Sequence, residues 1–154
     1  MDGYASLGHE LVEQLPDGVD AFVLSVGTAG CLVGAGRVLR GAWPGLHRVA
    51  VEPAESPFLS AGRAGTHRIE GGGIGFWPPL LTRDDFDEVI AVPTEEAFAM
   101  ARRAAKEEGI FSGVSFGASL SAALAVARRL GTGHRVVTIQ VDSGLKYLAG
   151  ATYQ

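Results

Sequence analysis

The sequence predicts an α/β fold: a mostly parallel, open sheet with helices on both faces. Three observations carry that prediction. Short runs that are apolar throughout, such as AFVLSV at residues 21–26 and EVIAV at 88–92, read as strands covered on both sides. Segments with helical spacing alternate with them along the chain. Glycine, 22 of 154 residues, gathers at 27–36, 71–75 and 109–117, beside these elements and not in a linker or repeat.

In chain order, residues 4–15 form an amphipathic helix, with Leu7, Leu11 and Leu15 spaced by one turn and Pro16 as its stop. Residues 21–26 are the first strand, and 32–39 continue as a helix of small residues that ends over 41–45. RVAV, residues 48–51, is the second strand, closed by Glu52-Pro53. A short helix over 56–64 starts at Pro57, and 67–79 is an irregular glycine and proline stretch. Glu88–Val92 is the third strand. Thr94–Glu108 is a helix with Thr94 as N-cap, Glu95 and Glu96 in its first turn and Gly109 as its stop. Residues 115–130 form an alanine-rich helix ending in Arg128-Arg129, 136–141 the last strand, and 145–149 a terminal helical turn.

Length and composition bound the function. A chain of 154 residues fits one domain, 1–154, and its 47% apolar and 19% charged content suits a globular protein. The formal net charge of −4 argues against a nucleic-acid partner, which needs a basic face. No apolar run approaches a membrane span, and MDGYASLGHELVEQ lacks the order of a signal peptide. Cys31 is alone, so no internal disulfide forms, which fits the cytoplasm. The histidines (His9, His47, His67, His134) are scattered without metal-ligand spacing, and no metal site is expected.

The turn in VGTAGCLVGAG lies beyond the carboxyl end of the first strand, where open parallel sheets bind ligands. It is not a dinucleotide fingerprint, because Gly27 and Gly30 are three apart and Gly34-Ala35-Gly36 lies inside the helix. Nor does a lysine follow, as a nucleotide-triphosphate loop requires. Two readings stay open on pattern alone. Either the loop N–H groups and the Thr28 hydroxyl cap a phosphate at a helix N-terminus, or the glycines only permit a tight turn.

The segment DAFVLSVGTAGCLVGAGRVLR resembles the phosphate loop of the cysteine synthase and cystathionine β-synthase family. These are fold-type II pyridoxal-phosphate enzymes with the pattern GTGGT at that place. Four further segments resemble the family in the same order: RVAVEPAESP, HRIEGGGIGFWPPLL, AKEEGIFSGVSFGAS and VDSGLKYL. The resemblance spans nearly the whole chain and implies the large domain of such an enzyme, in its carboxyl-terminal half. It assigns Gly27, Thr28, Ala29, Gly30 and Cys31 to the phosphate of pyridoxal 5′-phosphate and Ser115 to the pyridine nitrogen. It assigns Gly71, Gly73 and Gly75 to the loop beside the substrate. A neutral hydroxyl at the ring nitrogen suits β-elimination and replacement.

The chain departs from the family at several places. Ala29 stands for a glycine and Cys31 for a threonine of the loop, Phe116 for a serine, and Asp142, Leu145 and Lys146 alter the last motif. The largest departure is the Schiff-base lysine. Only Lys106 and Lys146 are present; Lys106 falls on the solvated face of its helix, and Lys146 on an arginine position of the family. The family's lysine lies in an amino-terminal half with no counterpart here. The expected function is therefore the cofactor-binding part of an enzyme of β-replacement on O-acetylserine or a similar serine derivative, with no catalytic residue of its own and no covalent bond to the cofactor. The implied partners are a small amino-acid substrate and either a separate amino-terminal half or further copies of the chain. The rivals are a non-catalytic module that binds pyridoxal phosphate or another anion, and a serine or threonine dehydratase, against which Ser115 speaks.

Other residues are weighed against packing. Cys31 at a helix start could be a nucleophile, but no histidine serves it, and it is read as a small buried cysteine. VSFGAS at Ser115 is not a hydrolase elbow, and Ser143 is no better placed. Asp84-Asp85 and Asp87-Glu88 are read as a solvated approach to the third strand. Phe76 and Trp77 are better pocket candidates than Trp43.

Overall fold

The computed structural model describes residues 2–153, with side chains from residue 3 onward. Four strands, β1 (Ala21–Ser25), β2 (His47–Pro53), β3 (Glu88–Val92) and β4 (Val136–Val137), make one sheet in the order β3-β2-β1-β4. Every pairing is parallel: Ala21 lies beside His47 and Val136, and Val49 beside Glu88. The helices are α1 (Asp2–Gln14), α2 (Gly30–Ala42), α3 (Phe58–Ala61), α4 (Thr94–Glu108) and α5 (Val114–Leu130). Turns of 3₁₀ helix cover Arg83–Asp85 and Gly144–Tyr147.

Alternation along β1 and β2 splits the core into two layers. Phe22, Leu24 and Ala50 pack with Leu32, Val33 and Leu39 of α2, and Leu7 and Leu11 of α1 close that side. Ala21, Val23, Val49 and Val51 face the other way, onto Ala97 and Phe98 of α4 and Val114, Ala118 and Val126 of α5. Both faces of the sheet are thus apolar, which is why the strands carry no polar alternation. The helix pair on the second face packs backbone to backbone. A Cβ built on Gly117 would come closer than 3.0 Å to the Ala97 carbonyl oxygen.

Several predicted boundaries move, each for a local reason. α2 begins at Gly30, two residues before the predicted start, because the turn itself opens the helix. α3 is only the four residues Phe58–Ala61, and β2 extends to His47 and Pro53. Thr94 is the first helical residue of α4, with Pro93 at the cap position; the Thr94 N–H is taken at 2.8 Å by the Glu55 carboxylate. β4 keeps two of the six predicted residues. On that side of β1 the Ser25 N–H donates to Ser119 Oγ of α5 at 2.8 Å, so the helix occupies the place where β4 would continue.

The carboxylates before β3 correct the solvated reading. Asp85 is buried, pairs with Arg37 at 2.7 Å and completes a capping box with Thr82. Asp87 accepts from the Arg48 backbone N–H at 2.8 Å and from its guanidinium at 3.2 Å. Glu88 sits between Arg129 and His47, both within 2.7 Å. Only Asp84 is exposed and without such a partner among the described residues.

Candidate functional site

Beyond the carboxyl end of β1 the chain turns through Gly27, Thr28 and Ala29 into α2. Ala29 has φ 67° and ψ 0°, the one left-handed residue other than glycine among the described residues. An L-residue there costs about 1 kcal/mol over glycine, so the departure from the family's glycine is held under strain. No side chain caps α2, which leaves its first N–H groups facing outward with the positive end of the helix dipole.

Those groups open onto a cavity of about 400 Å³, a size that holds a small organic ligand. Gly27, Thr28, Ala29, Gly30 and Cys31 line one side of it, and Ser115 and Gly71 line the rest with their neighbours. Two elements about ninety residues apart in sequence are thereby joined. Ser115 lies in the first turn of α5 and is 7% exposed; its hydroxyl has no hydrogen-bond partner among the described residues. Its backbone carbonyl accepts from Ser119 Oγ at 3.0 Å, which fixes the helix start relative to β1.

Gly71 reaches the cavity because Gly27 has no side chain. A Cβ on Gly27 would come closer than 3.0 Å to the Gly71 carbonyl oxygen, a backbone atom that no rotamer change can move aside. The Gly73 N–H then donates to the Val26 carbonyl at 2.9 Å, clipping the loop to the end of β1. Gly73 and Gly75, assigned with Gly71 to one loop, do not line the main cavity. They border a neighbouring cleft beside Glu52 and Phe76. Phe76 is exposed, Trp77 donates to the Leu81 carbonyl at 2.7 Å, and Trp43 lies at the opposite end of the sheet.

Further residues that sequence reasoning did not assign line the cavity, among them the polar Tyr4, Glu70, Ser119, Asp142 and Tyr147. Ser119 follows Ser115 by one helical turn, a signal that was available. Asp142 and Tyr147 stand in the quoted VDSGLKYL segment. Asp142 accepts the Gly113 N–H at 2.7 Å and the Tyr147 hydroxyl at 2.5 Å, so a carboxylate caps the start of α5. Burial, and then the Asp142 charge, push the Tyr147 phenol well up, and it stays a donor. Burial also pushes the Cys31 thiol up, opposite to the shift a nucleophile needs.

Pyridoxal phosphate fits this donor set: an uncapped helix N-terminus with a threonine hydroxyl for a dianion, and an unpaired buried hydroxyl across the cavity for a ring nitrogen. Neither lysine lines the cavity. Lys106 is exposed on α4, and Lys146 is exposed on the last turn. Among the described residues no helix is long and apolar enough to cross a membrane.

Comparison with known proteins agrees with this geometry. A cysteine synthase of Staphylococcus aureus is 44% identical over 147 residues, covering 95% of this chain and 47% of that protein. The crystal structure of O-acetyl serine sulfhydrylase isoform 3 from Entamoeba histolytica superposes with a TM-score of 0.94 at 36% identity, over 99% of this chain and 46% of that one. An O-acetylserine dependent cystathionine beta-synthase from Helicobacter pylori gives 0.92 at 36% identity, over 98% and 49%. The chain therefore spans about half the length of the relatives it matches. The family model described as pyridoxal-phosphate dependent enzyme matches residues 1–142, and the chain belongs to that family, in its cysteine synthase branch, with pyridoxal 5′-phosphate as the cofactor.

Proposed function

We propose that residues 1–154 act as one α/β unit, the cofactor-holding part of a cytoplasmic enzyme of β-replacement on O-acetylserine or a similar serine derivative. The observation that supports it most is the meeting of the uncapped α2 start with the unpartnered Ser115 hydroxyl in one cavity. The N–H groups of Gly30, Cys31 and Leu32, with Thr28 Oγ1, hold the phosphate. Ser115 meets the ring nitrogen as a neutral group, so it orients the ring without holding it protonated. Ser119 and Asp142 fix the start of α5 and so the position of Ser115. Gly71 brings the substrate loop against Gly27. When bound, the cofactor supplies the electron sink that acidifies the substrate α-carbon and lets its β-substituent leave.

The Schiff-base lysine comes from outside these residues, in a partner segment or chain. Phe76, Val141, Leu145 and Leu148 are exposed, and Val141 lies at the cavity, which supports a covering partner there. A second reading, a non-catalytic module for pyridoxal phosphate or another anion, is favoured by the strained Ala29 and the weak donor at Cys31.

Absorbance spectra with pyridoxal phosphate, before and after borohydride reduction and with intact mass, test the proposal. The chain alone should show no reducible Schiff base, and adding a lysine-bearing amino-terminal half should produce one. A reduced adduct on Lys106 or Lys146 contradicts the proposal. Absence of the band with the half present favours the second reading.

A further inference from the structure

His67 stands in the glycine and proline stretch, in neither of the two helix starts that face the cavity. Its ring bridges the two arms of the glycine loop. The Ile69 N–H donates to Nδ1 at 3.2 Å, and Nε2 lies 2.9 Å from the Gly73 carbonyl oxygen. A backbone N–H only donates, so Nδ1 must carry a lone pair. A carbonyl oxygen only accepts, so Nε2 must carry the proton. The two contacts therefore select one tautomer of the neutral imidazole. The doubly protonated ring cannot make both, because its Nδ1–H would confront the Ile69 N–H.

The segment tied by this ring is anchored at both ends. The Ile69 side chain is 1% exposed in the core layer shared with Val51 and Val92. At the other end, the Gly73 N–H is bonded to Val26, and a Cβ on Gly73 would strike Pro53 and the His67 ring. Between the anchors Glu70 and Gly71 reach the cavity wall. We infer that His67, as the neutral Nε2–H tautomer, is the positioning residue that closes the loop 67–73 and holds the Gly71 carbonyl against Gly27. The closure is independent of any ligand; its effect on cofactor binding rests on the function proposed above.

Glu55 lies within electrostatic reach of the ring, and Arg68 is its neighbour in the chain. Glu55, from the turn after β2, is held below the usual carboxylate range: burial opposes this, and the hydrogen bonds it receives from Thr94 outweigh it. Arg68 is engaged by Glu95 of α4. Neither can replace the acceptor that the Ile69 N–H requires. A doubly protonated ring would cost the loop that bond and release Gly71 from the wall.

Amide hydrogen exchange at Ile69 and Gly73, together with pyridoxal-phosphate binding, tests this in the full chain as wild type, His67→Phe and His67→Gln. The measurements run from about pH 8 to about pH 5.5, where histidines titrate. Phenylalanine keeps a ring without either bond; glutamine offers a donor and an acceptor and does not titrate. Wild-type protection, corrected for the intrinsic rate, should fall about tenfold across that range. His67→Phe should be low throughout, and His67→Gln should recover part of the protection with no pH dependence. Binding should follow the same order. Wild-type protection in His67→Phe, or a wild-type pH profile in His67→Gln, overturns the inference. If none of the three binds pyridoxal phosphate while exchange follows the expected order, the ligand reading fails and the role of His67 stands. If His67→Phe does not fold, a long-range ¹H–¹⁵N spectrum of the wild-type imidazole decides: the Nε2–H tautomer near pH 8 supports the inference and the Nδ1–H tautomer overturns it.

Discussion

Replacing Gly27 by alanine sets two effects of opposite sign against each other. Gly27 is not among the residues with positive φ, so alanine suits its backbone. Reducing the freedom of the unfolded chain would by itself stabilise the fold by about 0.5 kcal/mol. Against this, the new Cβ would sit inside 3.0 Å of the Gly71 carbonyl oxygen, and no side-chain rotamer can relieve a clash with backbone. The loop must retreat. Forced overpacking of this kind costs about 2 kcal/mol, and losing the neighbouring Gly73 to Val26 hydrogen bond at 2.9 Å adds about 1 kcal/mol. The clash wins, and Gly27→Ala should lower the stability by about 2.5 kcal/mol in urea unfolding. Gly41 provides the control, because a Cβ there meets nothing within 4 Å. Lying inside α2, Gly41→Ala should raise the stability by about 0.5–1 kcal/mol. Stabilisation by both variants would refute the close approach of the two loops, and with it the placement of Gly71 at the cavity.

Two further predictions concern charge and the phosphate loop. The Arg129 guanidinium, with His47 assisting and burial opposing, holds Glu88 down to about 2 from 4.5. A depressed carboxylate stabilises the fold above its unfolded value and loses that contribution as pH falls through the folded one. Urea midpoints of wild type and Glu88→Gln should therefore differ most above pH 4.5 and converge towards pH 2; a constant gap across that range would contradict the pairing. Cys31→Thr restores a hydroxyl beside the uncapped α2 start, and an added hydrogen bond to a charged group should tighten pyridoxal-phosphate binding about tenfold. Unchanged affinity in a fluorescence titration would mean that residue 31 does not face the phosphate.

Much of the architecture was legible because local and tertiary preferences agree. Glu88–Val92 and Thr94–Glu108 have the same ends in sequence and structure, since Pro93 separates them and Gly109 closes the helix in the left-handed conformation. Residues 27–31 and Ser115, picked out by motif order, line one cavity. What was missed depends on distant partners. Asp85 reads as a surface acid until Arg37, 48 residues away, is placed beside it. β4 shortens because Ser119, 94 residues after Ser25 in the chain, captures the strand's N–H. Tyr4 belongs to an exposed helix end, and only the packing of α1 on α2 carries it to the rim of the cavity, where its ring lies near Gly30. Gly73 and Gly75 share a motif with Gly71, but the turn at positive φ sends them into the adjoining cleft.

The central claim, that the Gly27–Cys31 turn receives the cofactor's phosphate, is tested most directly by ¹H–¹⁵N titration of the chain with pyridoxal phosphate and, in parallel, with pyridoxal. The account predicts that the amides of Gly30, Cys31 and Leu32 shift with pyridoxal phosphate and far less with pyridoxal, while residues around Ser115 respond to both. Equal responses of the loop amides to the two compounds, or shifts confined to other parts of the sheet, would contradict it.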